Sequence, residues 1–202
     1  MILDEGYIKY QSRWTHGDAP DIEAANLLEQ WRRPLYEAGL IGHYEDLGIG
    51  YGNISVRCGD AGQFLISGTQ TGHLPVTNES HYSLVTGYDL TGKSVNCTGP
   101  VQASSEAMTH AAIYELDPGI GGIVHVHSKL LWREYLDKLP TTDPAVAYGT
   151  PDMAREFTRL YAEGGFKESG LAVMAGHDEG LISFGASLEE AATRMLSLAR
   201  SR

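Results

Sequence analysis

Hydrophobic and polar positions alternate with a period of two at several points along the chain, which is the pattern of half-buried strands. The clearest run is NISVR, residues 53–57, in which Ile54 and Val56 alternate with polar side chains. Similar runs predict strands over residues 63–67, 82–87, 123–128, 171–175 and 180–184. A further strand is predicted over residues 7–10, within an N-terminal segment, residues 1–20, that is otherwise irregular.

Four other segments repeat apolar positions every three or four residues, as amphipathic helices do. Asp21 is placed to cap the first of them, Pro34 predicts a kink or a break in it, and Gly39 predicts its end. The remaining helices are predicted over residues 105–116, with Ser104 or Ser105 as the cap, 150–164 and 187–198.

The order of these elements indicates the fold class. Strands and helices are interspersed but do not alternate strictly, which favours a mainly antiparallel sheet flanked by helices over a doubly wound parallel sheet. The chain has 202 residues, and no repeat, low-complexity tract or change of composition divides it. We therefore predict a single α/β domain over residues 1–202.

Charge and composition exclude several classes of partner. Lys and Arg number 15 against 26 Asp and Glu, a formal net charge of -11. An acidic surface repels nucleic acid and anionic membranes, and no apolar run approaches the roughly 20 residues that span a bilayer. The opening residues MILDEGYIKYQ are acidic where an export signal would be basic and apolar, and the two cysteines lack metal-type spacing. We therefore expect a cytoplasmic protein without nucleic-acid or membrane partners.

The strongest candidate for chemistry is the pair His125 and His127. Residues i and i+2 of a strand project from the same face, so both imidazoles can reach one point while Val126 packs behind them. Neutral imidazole is a common ligand of Zn²⁺ and related ions. The alternative is a pair of surface histidines on an edge strand.

Two further residues could complete such a site. His177, which follows the apolar run LAVMAG, is the best candidate for a third ligand. Glu106 is predicted in the first turn of its helix, where a carboxylate could serve as a general base beside a metal. The more common role of Glu at that position is to interact favourably with the helix dipole.

Three small polar segments could bind a phosphate through backbone amides and hydroxyls. They are Gly52-Asn53, Ser67-Gly68-Thr69 and Ser104-Ser105. Each is also typical of an ordinary turn. No phosphate-binding loop of the Walker type, dinucleotide fingerprint or serine-hydrolase motif occurs in the sequence.

Taken in chain order, six segments resemble the motifs of the class II aldolase/adducin family, and of its fuculose-phosphate aldolases in particular. They are GNISVR (52–57), FLISGTQTG (64–72), SSEAMTHAAIY (104–114), VHVHS (124–128), YGTPDMA (148–154) and MAGHDEGLISFGASLEEA (174–191). The resemblance extends over roughly residues 25–198.

The resemblance implies a three-layer α/β/α sandwich around a mostly antiparallel sheet, assembled as a homotetramer. It implies a divalent metal held by His125, His127 and His177, usually Zn²⁺, although Mn²⁺, Co²⁺ or Fe²⁺ also suit such ligands. It assigns acid/base chemistry to Glu106. The substrate phosphate is assigned to Gly52, Asn53, Ser67, Gly68, Ser104 and Ser105.

The implied activity is that of an aldolase, which cleaves or forms a C–C bond of a phosphorylated ketose or similar hydroxy-carbonyl compound through a metal-stabilised enediolate. Two departures from the family pattern leave alternatives open. No residue between His127 and Gly149 matches the tyrosine proton donor of the fuculose-phosphate aldolases, and Asp178-Glu179 is inserted after the last histidine. An epimerase or dehydratase with the same metal site is the first alternative, and a non-catalytic assembly module of the adducin type is the second.

Overall fold

The computed structural model describes residues 6–59 and 62–200, so residues 1–5 of the predicted irregular segment lie outside the described part of the chain. The elements, in chain order, are β1 (Gln11–His16), α1 (Ile22–Glu37), β2 (Gly42–Tyr44), β3 (Ile49–Tyr51), β4 (Asn53–Arg57), β5 (Phe64–Ser67), a short 3-10 helix (Glu79–His81), β6 (Tyr82–Asp89), β7 (Ser94–Gly99), α2 (Ala107–Leu116), β8 (Gly122–His127), α3 (Lys129–Tyr135), α4 (Pro151–Ala162), α5 (Gly165–Ser169), β9 (Leu171–Val173), β10 (Gly180–Gly185) and α6 (Leu188–Arg200).

Eight of the strands form one sheet in the order β1-β7-β6-β5-β4-β8-β10-β9. Only the pairing of β1 with β7 is parallel, and every other neighbouring pair within this sheet is antiparallel. The strands β2 and β3 form a separate two-stranded sheet. The predicted mostly antiparallel sheet is therefore confirmed.

Helices cover both faces of the large sheet, because alternate side chains of its strands are apolar on both sides. In β8, Ile123 packs in one core while Val124 and Val126 pack in the other. The first core is completed by buried residues of α2, α4 and α5, and the second by those of α1, α3 and α6. This arrangement confirms the predicted α/β/α sandwich.

The prediction for the N-terminal segment is wrong in its position. Residues 7–10 are irregular, whereas the residues that follow them form β1 along the edge of the sheet. This strand escapes a search for alternating apolar residues because Trp14, its large apolar side chain, is 40% exposed and most of the strand faces solvent. Backbone pairing with β7, residue for residue from Gln11 with Ser94, defines it.

Two helix starts and one proline inside a helix test the sequence-based expectations. The carboxylate of Asp21 accepts hydrogen bonds from the backbone N–H groups of Glu23 and Ala24, as a helix cap should. The helix does not break at Pro34, since α1 continues three residues further to Glu37. Helix α2 begins at Ala107 with Glu106 in the capping position, so neither predicted serine is its cap, although the Ser104 hydroxyl accepts a hydrogen bond from the N–H of Glu106 in the turn before it.

Among the described residues, none of the helices combines the length and apolar composition needed to cross a bilayer.

Candidate active site

Two histidines of the candidate site come from β8, in the middle of the sheet. Strand β8 lies between β4 and β10, so that His125 pairs with Asn53 on one side and Ile182 on the other. Both His125 and His127 project from the same face of the strand, and both are buried. The pairing on both sides rules out the alternative of an exposed edge strand.

The third histidine arrives from the turn between β9 and β10. Backbone hydrogen bonds from His177 to Met174 and from Gly180 to His177 close this turn and bury the imidazole. The Nε2 atoms of the three rings form a nearly equilateral triangle, with separations of 3.1 Å from His125 to His127, 3.1 Å from His127 to His177 and 3.2 Å from His177 to His125.

The hydrogen bonds at the far side of two rings fix their tautomers. The Nδ1 atom of His125 lies 3.0 Å from the carbonyl oxygen of Leu181, which can only accept, so Nδ1 carries the proton. The Nδ1 atom of His127 lies 3.1 Å from the hydroxyl of Tyr44, which donates its own proton to Glu179. Each ring therefore turns a bare Nε2 lone pair towards the centre of the triangle.

This donor set fits a divalent metal ion. Two bare lone pairs only 3.1 Å apart repel each other unless a cation lies between them. In a tetrahedral site with Zn–N bonds of about 2.0–2.1 Å, neighbouring nitrogens are about 3.3–3.4 Å apart, close to the separations seen here. Burial lowers the pKa of His125 to about 4, and burial together with the neighbouring histidines lowers the pKa of His127 and His177. All three rings are therefore neutral and able to coordinate at neutral pH.

Glu106 approaches this triangle from the start of α2. Its Oε1 atom lies 3.4 Å from Nε2 of His177, and the side chain is only 2% exposed. Neither carboxyl oxygen has a well-formed hydrogen bond among the described residues. Burial raises the pKa of Glu106 to about 7, against the opposing effects of the Thr109 hydroxyl and the Lys9 charge. A buried carboxyl group with few polar contacts, facing ligand-type nitrogens, is suited to exchanging a proton with a substrate.

A cleft lined by small and polar residues opens next to Glu106. Five of the six residues assigned to phosphate binding line it, and the full lining is Gly6, Gly50, Gly52, Asn53, Gly68, Thr69, Gln70, Thr71, Gly72, Ser104 and Ser105. The side-chain oxygen of Asn53 is buried and has no hydrogen-bond partner among the described residues. No Lys or Arg is among the described residues of this lining, which offer an anion amides and hydroxyls.

The sixth predicted phosphate residue, Ser67, lies outside the lining of the cleft. Its hydroxyl accepts from the N–H of Ile54 and donates to the carbonyl of the same residue, which ties β5 to β4. At two positions of the cleft, the backbone conformation or close packing also requires a glycine. Gly52 has a φ of +76°, and a Cβ atom on Gly68 would lie 2.4 Å from a methyl carbon of Val101.

Residues 6–10, here called the N-terminal strap, lie across one side of the site. Tyr7 makes two backbone hydrogen bonds with the hydroxyl of Tyr148, both 3.3 Å long, and the hydroxyl of Tyr10 donates to the carbonyl of Ser104. The Tyr148 ring packs on His177, with centroids 4.3 Å apart, and the Lys9 ammonium lies 3.7 Å from the centroid of the Tyr148 ring. The strap thus brings a cation to a site whose other described groups are neutral or acidic.

Several residues of this site are not predicted from the sequence. Tyr44 and Tyr148 contact the histidines, yet Tyr44 lies in no motif, and the segment YGTPDMA that begins with Tyr148 gives that tyrosine no role of its own. Lys9 lies in the stretch predicted as a strand, and nothing in that pattern indicates a role in the site. His110, by contrast, lies one turn after Glu106 but is not part of the triangle, since its Nδ1 atom pairs with the hydroxyl of Ser55 at 2.7 Å.

Comparison with protein families supports this picture. Residues 35–201 match the model of a family described as the class II aldolase and adducin N-terminal domain. The match includes the three histidines, Glu106 and all the strands of the large sheet except β1.

Solved structures share the fold at low sequence identity. Sugar-phosphate aldolase from Thermotoga maritima superposes with a TM-score of 0.66 at 18% identity, covering 89% of this chain and 91% of that one. L-fuculose-1-phosphate aldolase from Thermus thermophilus gives a TM-score of 0.64 at 21% identity, covering 88% and 90%. YgbL from Klebsiella pneumoniae, for which aldolase, epimerase and decarboxylase activities have all been suggested, gives 0.66 at 21% identity, covering 89% and 86%.

Proposed function

Because the chain belongs to the class II aldolase and adducin family, we propose that it is a metal-dependent aldolase that cleaves or forms a C–C bond of a phosphorylated ketose or similar hydroxy-carbonyl compound. The observation that carries this proposal is the approach of the Glu106 carboxyl group, at 3.4 Å, to an imidazole triangle in which His125 and His127 present inward lone pairs. A purely structural module has no need of four buried ligand-type side chains around one point, and burying them without a ligand is costly.

The proposed metal ligands are His125, His127 and His177, and the proposed ion is Zn²⁺, which is commonly bound by three imidazoles in catalytic sites. A divalent ion there supplies Lewis-acid polarisation of a substrate carbonyl group. The tautomers fixed by Leu181 and Tyr44 present the required lone pairs without any rearrangement.

Glu106 is proposed to move the proton at the carbon next to the substrate carbonyl group. In the direction of C–C bond formation the carboxylate removes a proton from that carbon, the carbon adds to the aldehyde, and the resulting alkoxide takes up a proton from solvent. In the direction of cleavage the hydroxyl group beside the breaking bond releases its proton to solvent, and the carboxylic acid protonates the carbon after the bond has broken. Burial raises the pKa of Glu106 to about 7, so the side chain can both accept and return a proton near neutral pH.

The cleft is proposed to bind the substrate phosphate through Gly52, Asn53, Gly68, Ser104 and Ser105, with Ser67 holding β5 against β4 behind it. Ser105 lines the cleft and Glu106 follows it directly in sequence. A phosphate bound in the cleft therefore leaves the carbons that adjoin it within reach of Glu106, which favours a ketose carrying its phosphate near the carbonyl group.

The proposed assembly is a homotetramer, and the proposed location is the cytoplasm. The family resemblance implies a homotetramer, which light scattering during size-exclusion chromatography would measure directly. Cys58 and Cys97 are both free thiols, and free thiols persist in the reducing cytoplasm.

The direct test is a cleavage assay of the Zn²⁺-loaded protein. Ketose 1-phosphates, beginning with L-fuculose 1-phosphate, are supplied, and the dihydroxyacetone phosphate released is measured by its enzymatic reduction with NADH. We expect cleavage by the wild type and its loss in Glu106→Gln, whose amide has the same shape but cannot exchange the proton.

The products distinguish the alternative reactions. An epimerase or a dehydratase leaves the carbon skeleton intact, which nuclear magnetic resonance of the product mixture would show, whereas an aldolase gives two carbonyl fragments. Failure of the Zn²⁺, Mn²⁺ and Co²⁺ forms to transform any phosphorylated ketose would contradict the proposal and leave the assembly module as the better explanation.

A further inference from the structure

Glu179 adopts a backbone conformation that its side chain disfavours. Its φ is +69°, in the left-handed region where glycine is preferred and other residues are uncommon. Such a conformation costs free energy and persists where the rest of the structure, or a function, requires it. The residue immediately follows His177 and Asp178, so the strained backbone lies beside the imidazole triangle.

The side chain of Glu179 makes a contact that glycine could not make. Its Oε2 atom accepts a hydrogen bond from the hydroxyl of Tyr44 at 2.9 Å. The same hydroxyl oxygen lies 3.1 Å from Nδ1 of His127. An ionised carboxylate can only accept, so Tyr44 donates to Glu179 and accepts the Nδ1 proton of His127.

Backbone and ring contacts hold this chain of hydrogen bonds in place. The carbonyl of Glu179 accepts from the N–H of Ser128, the residue that follows His127. The Tyr44 ring packs on Tyr51 with centroids 4.6 Å apart, and Tyr51 stacks on His127 at 5.5 Å with an interplanar angle of 28°. The three members of the chain, from β2, β8 and the turn before β10, are therefore held at a fixed spacing.

We propose that Glu179 is a positioning residue that acts through Tyr44 to keep the Nε2 lone pair of His127 directed at a divalent ion. The proposal rests on the metal site of the proposed function but not on the reaction. The Glu179 carboxylate, at the end of this series of hydrogen bonds, favours the His127 tautomer with the proton on Nδ1. It also makes Nε2 of His127 a stronger donor to a metal ion. The two inserted acidic residues therefore differ. Glu179 positions the proposed metal ligand His127, whereas the side chain of Asp178 is exposed.

The test measures Zn²⁺ affinity by competition with a chromophoric chelator, without substrate. We expect Tyr44→Phe and Glu179→Gln each to weaken binding by about 10- to 100-fold. The double variant should be no weaker than the weaker single variant, because both changes interrupt the same chain. Asp178→Asn is the matched control, since it removes the neighbouring charge, and its affinity should equal that of the wild type.

A second variant separates positioning from stability. Glu179→Gly removes the carboxylate and also relieves the backbone strain, so the metal-free protein should melt at the same or a higher temperature while its Zn²⁺ affinity falls as in Glu179→Gln. A change in the visible spectrum of the Co²⁺-loaded Tyr44→Phe variant would report the altered ligand directly.

Three outcomes would overturn the inference: wild-type affinity in Tyr44→Phe, wild-type affinity in Glu179→Gly, or no Zn²⁺ binding by the unaltered protein. The aldolase proposal fails by a different result, the absence of substrate turnover. If the wild type cleaves no substrate but binds Zn²⁺, and the variants bind Zn²⁺ more weakly, the aldolase proposal is refuted and the role of Glu179 is supported.

Discussion

The Oε1 atom of Glu106 lies 3.4 Å from Nε2 of His177, although the two side chains come from the start of α2 and from the turn before β10. Their proximity places the carboxyl group that we propose exchanges protons with the substrate against a nitrogen that we propose binds the metal, in a buried setting. The two functions can still be separated, because the triangle of Nε2 atoms is complete without Glu106.

Glu106→Gln should therefore retain bound metal while losing proton transfer. We expect exchange of the substrate's α-proton with deuterated water to slow by at least about 100-fold, the usual contribution of a general base. Nuclear magnetic resonance of the substrate measures the exchange, and elemental analysis measures the metal. Exchange at the wild-type rate in this variant would remove Glu106 from the proposed role.

His125→Ala should abolish stoichiometric metal binding. Removing one corner of the triangle leaves two imidazoles, too few for a tight structural or catalytic zinc site. Elemental analysis of the wild type is expected to give about one divalent ion per chain, and of the variant close to none. His73→Ala is the matched control, since His73 is exposed and outside the triangle, and it should keep its ion.

Lys9→Met should weaken the binding of anionic substrates. The Lys9 charge acts on both Glu106 and His177, and the described lining of the cleft has no Lys or Arg. We expect the KM of a phosphorylated substrate to rise about tenfold, the loss of roughly 1.5 kcal/mol that a charged hydrogen bond contributes.

Steady-state kinetics checks this prediction, with Lys9→Arg expected to stay near the wild type and the exposed Lys138→Met as the control. A KM that is the same in Lys9→Met and in the wild type would show that the strap contributes no charge to binding.

The metal-free protein should lose stability as the pH falls from 7 towards 5. Burial lowers the pKa of four histidines, namely His110, His125, His127 and His177. Below about pH 6.5 the unfolded chain protonates these rings while the folded protein does not, so each costs about 1.4 kcal/mol per pH unit. Glu106 acts in the opposite direction, because its raised pKa of about 7 makes the folded state bind a proton first.

Four histidines outweigh one carboxyl group, so the melting temperature in the presence of a chelator should decrease with acidification. Thermal unfolding between pH 7.5 and 5.5 measures this change. A melting temperature that stays constant or rises over that range would mean that the histidines are not buried in the neutral form.

The sequence predicts the strands β4 to β6 and β8 to β10, but it misses β7 and places the edge strand β1 wrongly. Strand β8 is recognisable because Val124 and Val126 alternate with two histidines, and burial on both faces imposes that alternation. The edge strand β1 pairs on one side only, so its residues are under no such constraint and its hydrogen bonds to β7 leave no mark in the pattern.

The candidate site shows the same division. Motifs local in sequence indicate His125, His127 and the serines before Glu106. The sequence does not indicate contacts between distant segments, such as the hydrogen bond from the hydroxyl of Tyr44 to Glu179, which lies 135 positions further along the chain. Tertiary packing determines which tyrosine contacts a histidine, so composition and spacing do not predict that contact.

The N-terminal strap lies outside residues 35–201, the part that matches the family model, yet Gly6 lines the cleft and Tyr7 is bonded to Tyr148. A segment outside the family match therefore contributes to the cleft that is proposed to bind the substrate. Substitutions of Gly6 or Lys9 would change this side of the cleft, whereas Ile8 and Tyr10 also pack in the core. A tag or fusion joined close to the strap would, for the same reason, be expected to disturb the proposed substrate site.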